Sequence, residues 1–336
     1  MFSFSSAVRL VCTLTAICAL VPGIATPLHA QQRNPAQLMG RTVLDEPASS
    51  YRFERFEVES ADRQRRWRVN LGIPVAGRAD AEQGAPSPAL YALDGNAVAM
   101  VLDQQLLAEL AASKAPPVLV LIGYDNERRI DSVQRTRDYT AWIDRADDES
   151  GQVQVVGGGA YAFLDIIERR IKPEVARRAD IDPQRQALWG HSLGGLFVLS
   201  SLYTRPAAFQ QYVAASPSLW WSKGAPLGDL ETQFIDNSTG QPAQLWVMLG
   251  GDERSGNRGT RDMNNPRVVA HLRRVGGASS DAAHALSERL RGVPGLQVQY
   301  REFPGLGHGP MLPASFKATL SVLYGIGDHS GTPASP

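Results

Sequence analysis

Residues 186–200 read QALWGHSLGGLFVLS. A short apolar run climbs to Gly190, breaks at Gly190-His191-Ser192-Leu193-Gly194, and resumes with helical spacing. In a chain with 31 glycines the Gly-x-Ser-x-Gly pattern is weak on its own. Its flanks give it meaning: 186–190 predict a strand and 193–204 a helix. A strand–turn–helix of this kind holds the serine in strained backbone and lifts its hydroxyl above the sheet. Ser192 would then stand at a helix N-terminus, where backbone N–H groups favour developing negative charge. Such a serine is a candidate nucleophile, and it needs a base.

Outward from this turn, 51–60 and 66–75 alternate apolar and polar residues, as half-buried antiparallel strands do. After the loop 77–88 the pattern changes. Short apolar runs at 89–95, 117–124, 186–190, 211–216, 244–250 and 296–303 alternate with helical segments at 97–113, 157–178, 193–204, 262–292 and 313–324. This predicts an α/β fold: a mostly parallel sheet with antiparallel N-terminal strands and helices on both faces. Ligands of such sheets bind at the carboxyl ends of the strands, so the loops after 95, 124, 190, 216, 250 and 303 are the places to search.

Past residue 30 the chain carries five histidines. His191 lies in the turn itself and is expected to point away from Ser192. His271 and His284 fall in polar helical stretches, and His329 in a proline-ended tail. His308 lies in FPGLGHGPML, just past the last strand, where the order nucleophile, acid, histidine expects the base. The acid should follow strand 244–250, where GGDERSG offers Asp252 and Glu253; Asp252 is preferred for its position. Oxyanion donors are expected from the backbone N–H of Leu193 and, in LDGNAV after the strand 89–95, of Asn96. No His/Asp/Glu set has metal-ligand spacing, so no metal or other cofactor is expected.

The N-terminus reads MFSFSSAVRLVCTLTAICALVPGIATPLHAQQR: one cation at Arg9, an apolar run, Pro22-Gly23, and a small residue at Ala30. This is the layout of a secretory signal peptide cleaved after Ala30, with an apolar run interrupted too early to span a bilayer comfortably. Cys12 and Cys18 both lie within it, so a mature chain would hold no disulfide. Its removal leaves 33 basic against 34 acidic residues, a balance that argues against nucleic-acid binding. Later runs are too short or too polar to cross a membrane. The expected organisation is a signal peptide (1–30), a loose leader (31–50), a catalytic domain (51–326) and a disordered tail (327–336).

The stretches LYALDGNAV, IGYD with TRDYT, GGGAYAFLDIIERRIKP, GHSLGG, SPSLWW and FPGLGHGPMLPASF run from about residue 89 to 320. In them the chain resembles the putative-esterase branch of the α/β-hydrolases, and within it the periplasmic siderophore esterases that open enterobactin and salmochelin trilactones. The resemblance implies Ser192 as nucleophile, His308 as base and Asn96 and Leu193 as oxyanion donors. Some trilactone esterases resemble a Ser-His dyad with a small residue where the acid would stand; Asp252 stands there in this chain. The resemblance also implies a small-molecule ester substrate, a catecholate siderophore that is anionic when iron-loaded. Trp220 and Trp221 are candidates to stack on its rings, with Tyr124, Arg135 and Arg137 as further candidate contacts. An acyltransferase or general aryl esterase would use the same nucleophile. A non-catalytic iron-chelate binder would need none of the three catalytic side chains.

Overall fold

The computed structural model describes residues 37–75, 85–147, 153–255, 279 and 281–327. Eight strands form its main sheet: β1 (Tyr51–Glu59), β2 (Arg66–Pro74), β3 (Ser87–Leu93), β4 (Val118–Tyr124), β7 (Ile181–His191), β8 (Gln211–Ala215), β9 (Ala243–Gly250) and β10 (Leu296–Phe303). Between β4 and β7 a separate antiparallel hairpin pairs β5 (Ile143–Asp147) with β6 (Val153–Gly157). The order across the main sheet is β1-β2-β4-β3-β7-β8-β9-β10. β1, β2 and β4 pair antiparallel, and the strands from β4 to β10 run parallel.

The parallel strands are apolar along their whole length because both faces are covered. Every residue of β4 is buried. Tyr91, Val120, Leu188, Tyr212 and Val247 face one core with Phe163 and Phe197, while Leu90, Leu121, Trp189, Val213 and Met248 face the other with Leu106 and Phe316. The first face is covered by α3 (Ser132–Tyr139), α4 (Ala160–Ile166), α5 (Lys172–Arg178), α6 (Leu193–Thr204), α7 (Ala225–Asp236) and α9 (Ala282–Leu290). On the other lie α1 (Gly95–Ala99), α2 (Gln104–Ala111) and α10 (Met311–Tyr324); α8 (Gly251–Arg254) is a single turn after β9.

Three differences from the sequence reading have physical causes. The expected helix 97–113 is two helices, because Asp103 caps a new start by accepting from the Leu106 N–H at 2.8 Å. Helix 157–178 begins only at Ala160 and passes through a π-helical turn, Ile167–Ile171. Residues 37–50, expected to be loose, are packed: Met39 and Val43 are buried, and Thr42 and Asp45 form a capping box. There the Met39 N–H donates to Glu127 O at 2.9 Å and the Arg129 N–H to Gln37 O at 2.8 Å. The signal peptide, residues 262–278 and 280 of the expected helix 262–292, and the tail beyond 327 lie outside the described residues.

Register aligns the strand ends that matter. Trp189 pairs with Ala92, His191 with Ala215, Ala215 with Met248, and Gly250 with Phe303. The turns after β3, β7, β8, β9 and β10 therefore open on one rim. β3 lies where the chain order reverses, with β4 on one side and β7 on the other, the position at which such sheets form a crevice.

Candidate active site

Ser192 follows β7 with φ 64° and ψ −118°, a backbone that disfavours any side chain. Its N–H donates to Ala215 O at 2.9 Å, and its carbonyl accepts from the N–H groups of Leu196 and Ser218 at 3.1 Å each. A Cβ on Gly190 would stand 2.4 Å from Gly194 O, and one on Gly195 would stand 2.8 Å from Ala215 O. At Gly194 the nearest atom would be 3.5 Å away. Sterics thus demand glycine at 190 and 195; the second glycine of the pattern, 194, is freer.

His308 reaches the serine from the loop after β10. Its Nε2 lies 2.9 Å from Ser192 Oγ, and its Nδ1 lies 2.5 Å from Glu253 Oε2. The loop is seated on the start of α8: the Asp252 N–H donates to Leu306 O at 3.2 Å, and a Cβ on Gly250 would stand 2.1 Å from that same oxygen. His191, whose position was expected to point away from Ser192, packs its ring 4.7 Å from the His308 ring. Its Nε2 is 2.9 Å from the His308 carbonyl oxygen. A carbonyl only accepts, so His191 carries a proton on Nε2 and pins the backbone of the base.

The acid on His308 is Glu253 and not Asp252. In a one-turn helix adjacent side chains diverge by about 100°, and here Glu253 turns inward. Its Oε1 accepts from Ser216 Oγ at 2.6 Å and from the Gly250 N–H at 3.3 Å. The half-exposed Asp252 carboxylate makes no hydrogen bond among the described residues, while its N–H holds the histidine loop. Burial acts to raise the Glu253 pKa, but the hydrogen bond and charge of His308, with the Ser216 and Gly250 donors, hold it below the usual carboxylate range. An ionised Glu253 accepts the Nδ1 proton, which leaves Nε2 bare to accept from the Ser192 hydroxyl. The signal for Glu253 was present in the sequence: a glutamate three residues past Gly250 is where a first-turn carboxylate reaches back to cap the helix. Ser216 (φ 41°) and Ser218, whose Oγ is 3.3 Å from Ser192 Oγ, were quoted only as part of a motif.

On the other side of Ser192, Asp94 takes a left-handed conformation (φ 54°) before Gly95 and Asn96 open α1. The Asn96 side chain donates to the carbonyls of Asn126 and Arg128 at 2.8 and 2.9 Å, which leaves its backbone N–H as the group available to a ligand. Leu193 is the first residue of α6, whose leading N–H groups have no acceptor within the helix. Arg135 is not a free substrate contact. It lies buried on α3, binds both oxygens of Asp94 at 3.0 and 2.9 Å, and donates to His191 O at 3.1 Å.

Tyr124 is enclosed in the core, its ring 6.5 Å from that of Tyr139. Arg137 is exposed, with its backbone oxygen accepting from the Gly159 N–H at 2.9 Å. Trp221 is buried and donates to Trp142 O at 3.3 Å; Trp220, half-buried, packs 5.8 Å from it. Of the five candidate substrate contacts, only Trp220 and Arg137 present accessible surface. Among the described residues no group of three His, Cys, Asp or Glu side chains is placed to hold a metal, and no helix is long and apolar enough to cross a membrane.

Fold and site together define an enzyme of the α/β-hydrolase fold, a carboxylic-ester hydrolase with a serine at its sharp turn. The chain belongs to the family described as "Putative esterase", which matches residues 60–284. It is 34% identical over 296 residues to the apo-salmochelin esterase of Escherichia coli O6:H1, covering 85% of this chain and 84% of that one. Identity to the ferri-bacillibactin esterase BesA of Bacillus subtilis is 32% over 250 residues, covering 72% and 81%. The solved enterobactin and salmochelin hydrolase IroE is similar at a TM-score of 0.62 and 31% identity, over 84% of this chain and 99% of that one. Its complex with DFP gives 0.59 and 30% over the same shares.

Proposed function

We propose that this protein hydrolyses the ester bonds of a catecholate siderophore through an acyl-enzyme on Ser192. One observation carries the mechanism: His308 spans 2.9 Å to Ser192 Oγ and 2.5 Å to Glu253. His308 Nε2 takes the hydroxyl proton as Ser192 Oγ bonds to the ester carbonyl carbon, and Glu253 stabilises the imidazolium. The carbonyl oxygen gathers negative charge between the N–H groups of Leu193 and Asn96. The intermediate then expels the alcohol, which receives the proton from Nε2. Water repeats the sequence in reverse roles and frees the acid.

Support for the substrate class comes from the relatives, named for salmochelin, bacillibactin and enterobactin. Their names specify both an apo and a ferri substrate, so iron-free and iron-loaded forms are separate arms of the test. The DFP complex of a related hydrolase supports a serine nucleophile, since organophosphates phosphorylate activated serine hydroxyls. The pattern of residues 1–30 supports export to the periplasm with a mature N-terminus at Gln31.

The test incubates purified protein with diisopropyl fluorophosphate and maps the added mass. It is expected on Ser192 and absent from Ser192→Ala; an unlabelled Ser192 would sink the acyl-enzyme reading. Chromatography of enterobactin, salmochelin and bacillibactin, each with and without iron, beside simple aryl esters then reads the substrate. Turnover of aryl esters alone would overturn the siderophore assignment.

A further inference from the structure

We propose that Ser218 is a further catalytic residue, whose hydroxyl donates to Ser192 Oγ and stabilises the charge on that oxygen as it leaves the acyl carbon. The inference rests on the acyl-enzyme reading above and adds a donor to it. Ser218 is 1% exposed, and its Oγ lies 3.3 Å from Ser192 Oγ, its only hydrogen-bond partner among the described residues. Its N–H donates to Ser192 O at 3.1 Å, and its own carbonyl accepts from the Trp221 N–H at 3.1 Å. The backbone that carries the hydroxyl is therefore held beside the nucleophile on both sides.

Counting protons sets the direction of this bond. Glu253 accepts from His308 Nδ1, so Nε2 is bare and takes the one hydroxyl proton of Ser192. Ser192 Oγ then has only lone pairs to offer Ser218, and Ser218 must be the donor. Among the described residues its buried hydroxyl has no other acceptor, and a buried donor without one carries a desolvation cost.

The length of the contact says when it matters. At 3.3 Å it is longer than the 2.7–2.8 Å usual between hydroxyls and leaves room to shorten. A hydrogen bond tightens when its acceptor becomes charged. In acylation the contact starts from the free Ser192 hydroxyl, already a fair acceptor, so it gains less as Oγ takes up charge. In deacylation water gives its proton to His308 Nε2 and bonds to the acyl carbon. The bond from that carbon to Ser192 Oγ then breaks, its electron pair goes to Oγ, and Nε2 returns a proton there. An ester oxygen is a poor acceptor and a departing one a good acceptor, so the contact is stronger in this transition state than before it. The Ser218 proton never leaves Ser218.

Rapid mixing with a p-nitrophenyl ester reads acylation and deacylation separately. Ser218→Ala is expected to slow deacylation about tenfold and acylation less than about threefold, so that acyl-Ser192 accumulates and is seen by intact mass. Labelling by diisopropyl fluorophosphate, which needs only attack, should stay within about threefold of wild type. Ser218→Cys keeps the volume but donates weakly, and its deacylation rate should fall between the two. Equal losses in both steps without accumulation, an unchanged deacylation rate, or a cysteine variant equal to wild type would each overturn the proposal. If wild-type Ser192 itself is not labelled, the acyl-enzyme reading fails before this one is reached.

Discussion

Ser192 has a carboxylate paired with a basic side chain on each flank, and the two pairs behave differently. On the β3 side Asp94 and Arg135 are 1% and 10% exposed as side chains and joined by two hydrogen bonds. On the β9–β10 side Glu253 and His308 are 17% and 20% exposed and joined by one. Burial acts to lower the Arg135 pKa, but the charge and hydrogen bond of Asp94, with Tyr139 and Tyr124, raise it beyond its already high value. An arginine so placed never gives up a proton and serves as a strut, tying the Asp94–Asn96 turn to the backbone of His191. A histidine in the same kind of pair can take up and return a proton, so the open flank serves as a relay.

The comparison predicts that variants on the relay lose rate and variants on the strut lose fold. The largest effect is expected from His308→Ala: kcat for an aryl ester falls about 10³–10⁴-fold. Glu253→Gln comes next, at about 10²–10⁴-fold, because its amide can donate to Nδ1 and favours the tautomer whose Nε2 cannot accept from Ser192. Asp252→Asn, whose carboxylate makes no hydrogen bond among the described residues, should stay within about twofold, inside the range of ordinary surface changes. Equal losses at 252 and 253 would break the assignment of the acid. On the strut, Arg135→Ala should cost about 3–5 kcal/mol in urea unfolding by stranding a buried Asp94. A stable Arg135→Ala protein with reduced rate would make that flank part of the chemistry instead.

The same contrast explains what could be read from the residues. The parallel strands were legible because cover on both faces makes them continuously apolar, as in β4. Helix α3 was not, because its inward residues are Arg135, Asp138 and Tyr139, and a polar inward face leaves no hydrophobic period to detect. Helix α7 was hidden by Pro226 and Gly228 in its first turn, which read as loop. The β5–β6 hairpin pairs only with itself and leans on Thr140 and Trp221, support that no local pattern reports. In the site, strand order led to the right loops, since the base and the acid each had to follow a particular strand. It did not resolve which of two adjacent carboxylates turns inward, because that depends on one turn of helix and a reach of one methylene. Arg135 looked like a ligand contact because its partner, Asp94, lies 41 residues away.

The smallest effect separates the flanks by pH. Glu253 has a folded-state pKa below its unfolded value, so its ionised form adds stability that is fully present above the usual carboxylate range. That contribution is lost as the pH falls from this range through the depressed folded value. The stability gap between wild type and Glu253→Gln, followed by urea unfolding, should therefore narrow as the pH falls below about 4. Arg135 stays charged throughout, so changes in its own charge add nothing to the gap across the same range. A Glu253→Gln gap that kept widening below about pH 4 would mean the carboxylate is held neutral in the fold. It could then not accept the Nδ1 proton, and His308 would stand as the base without an ionised partner.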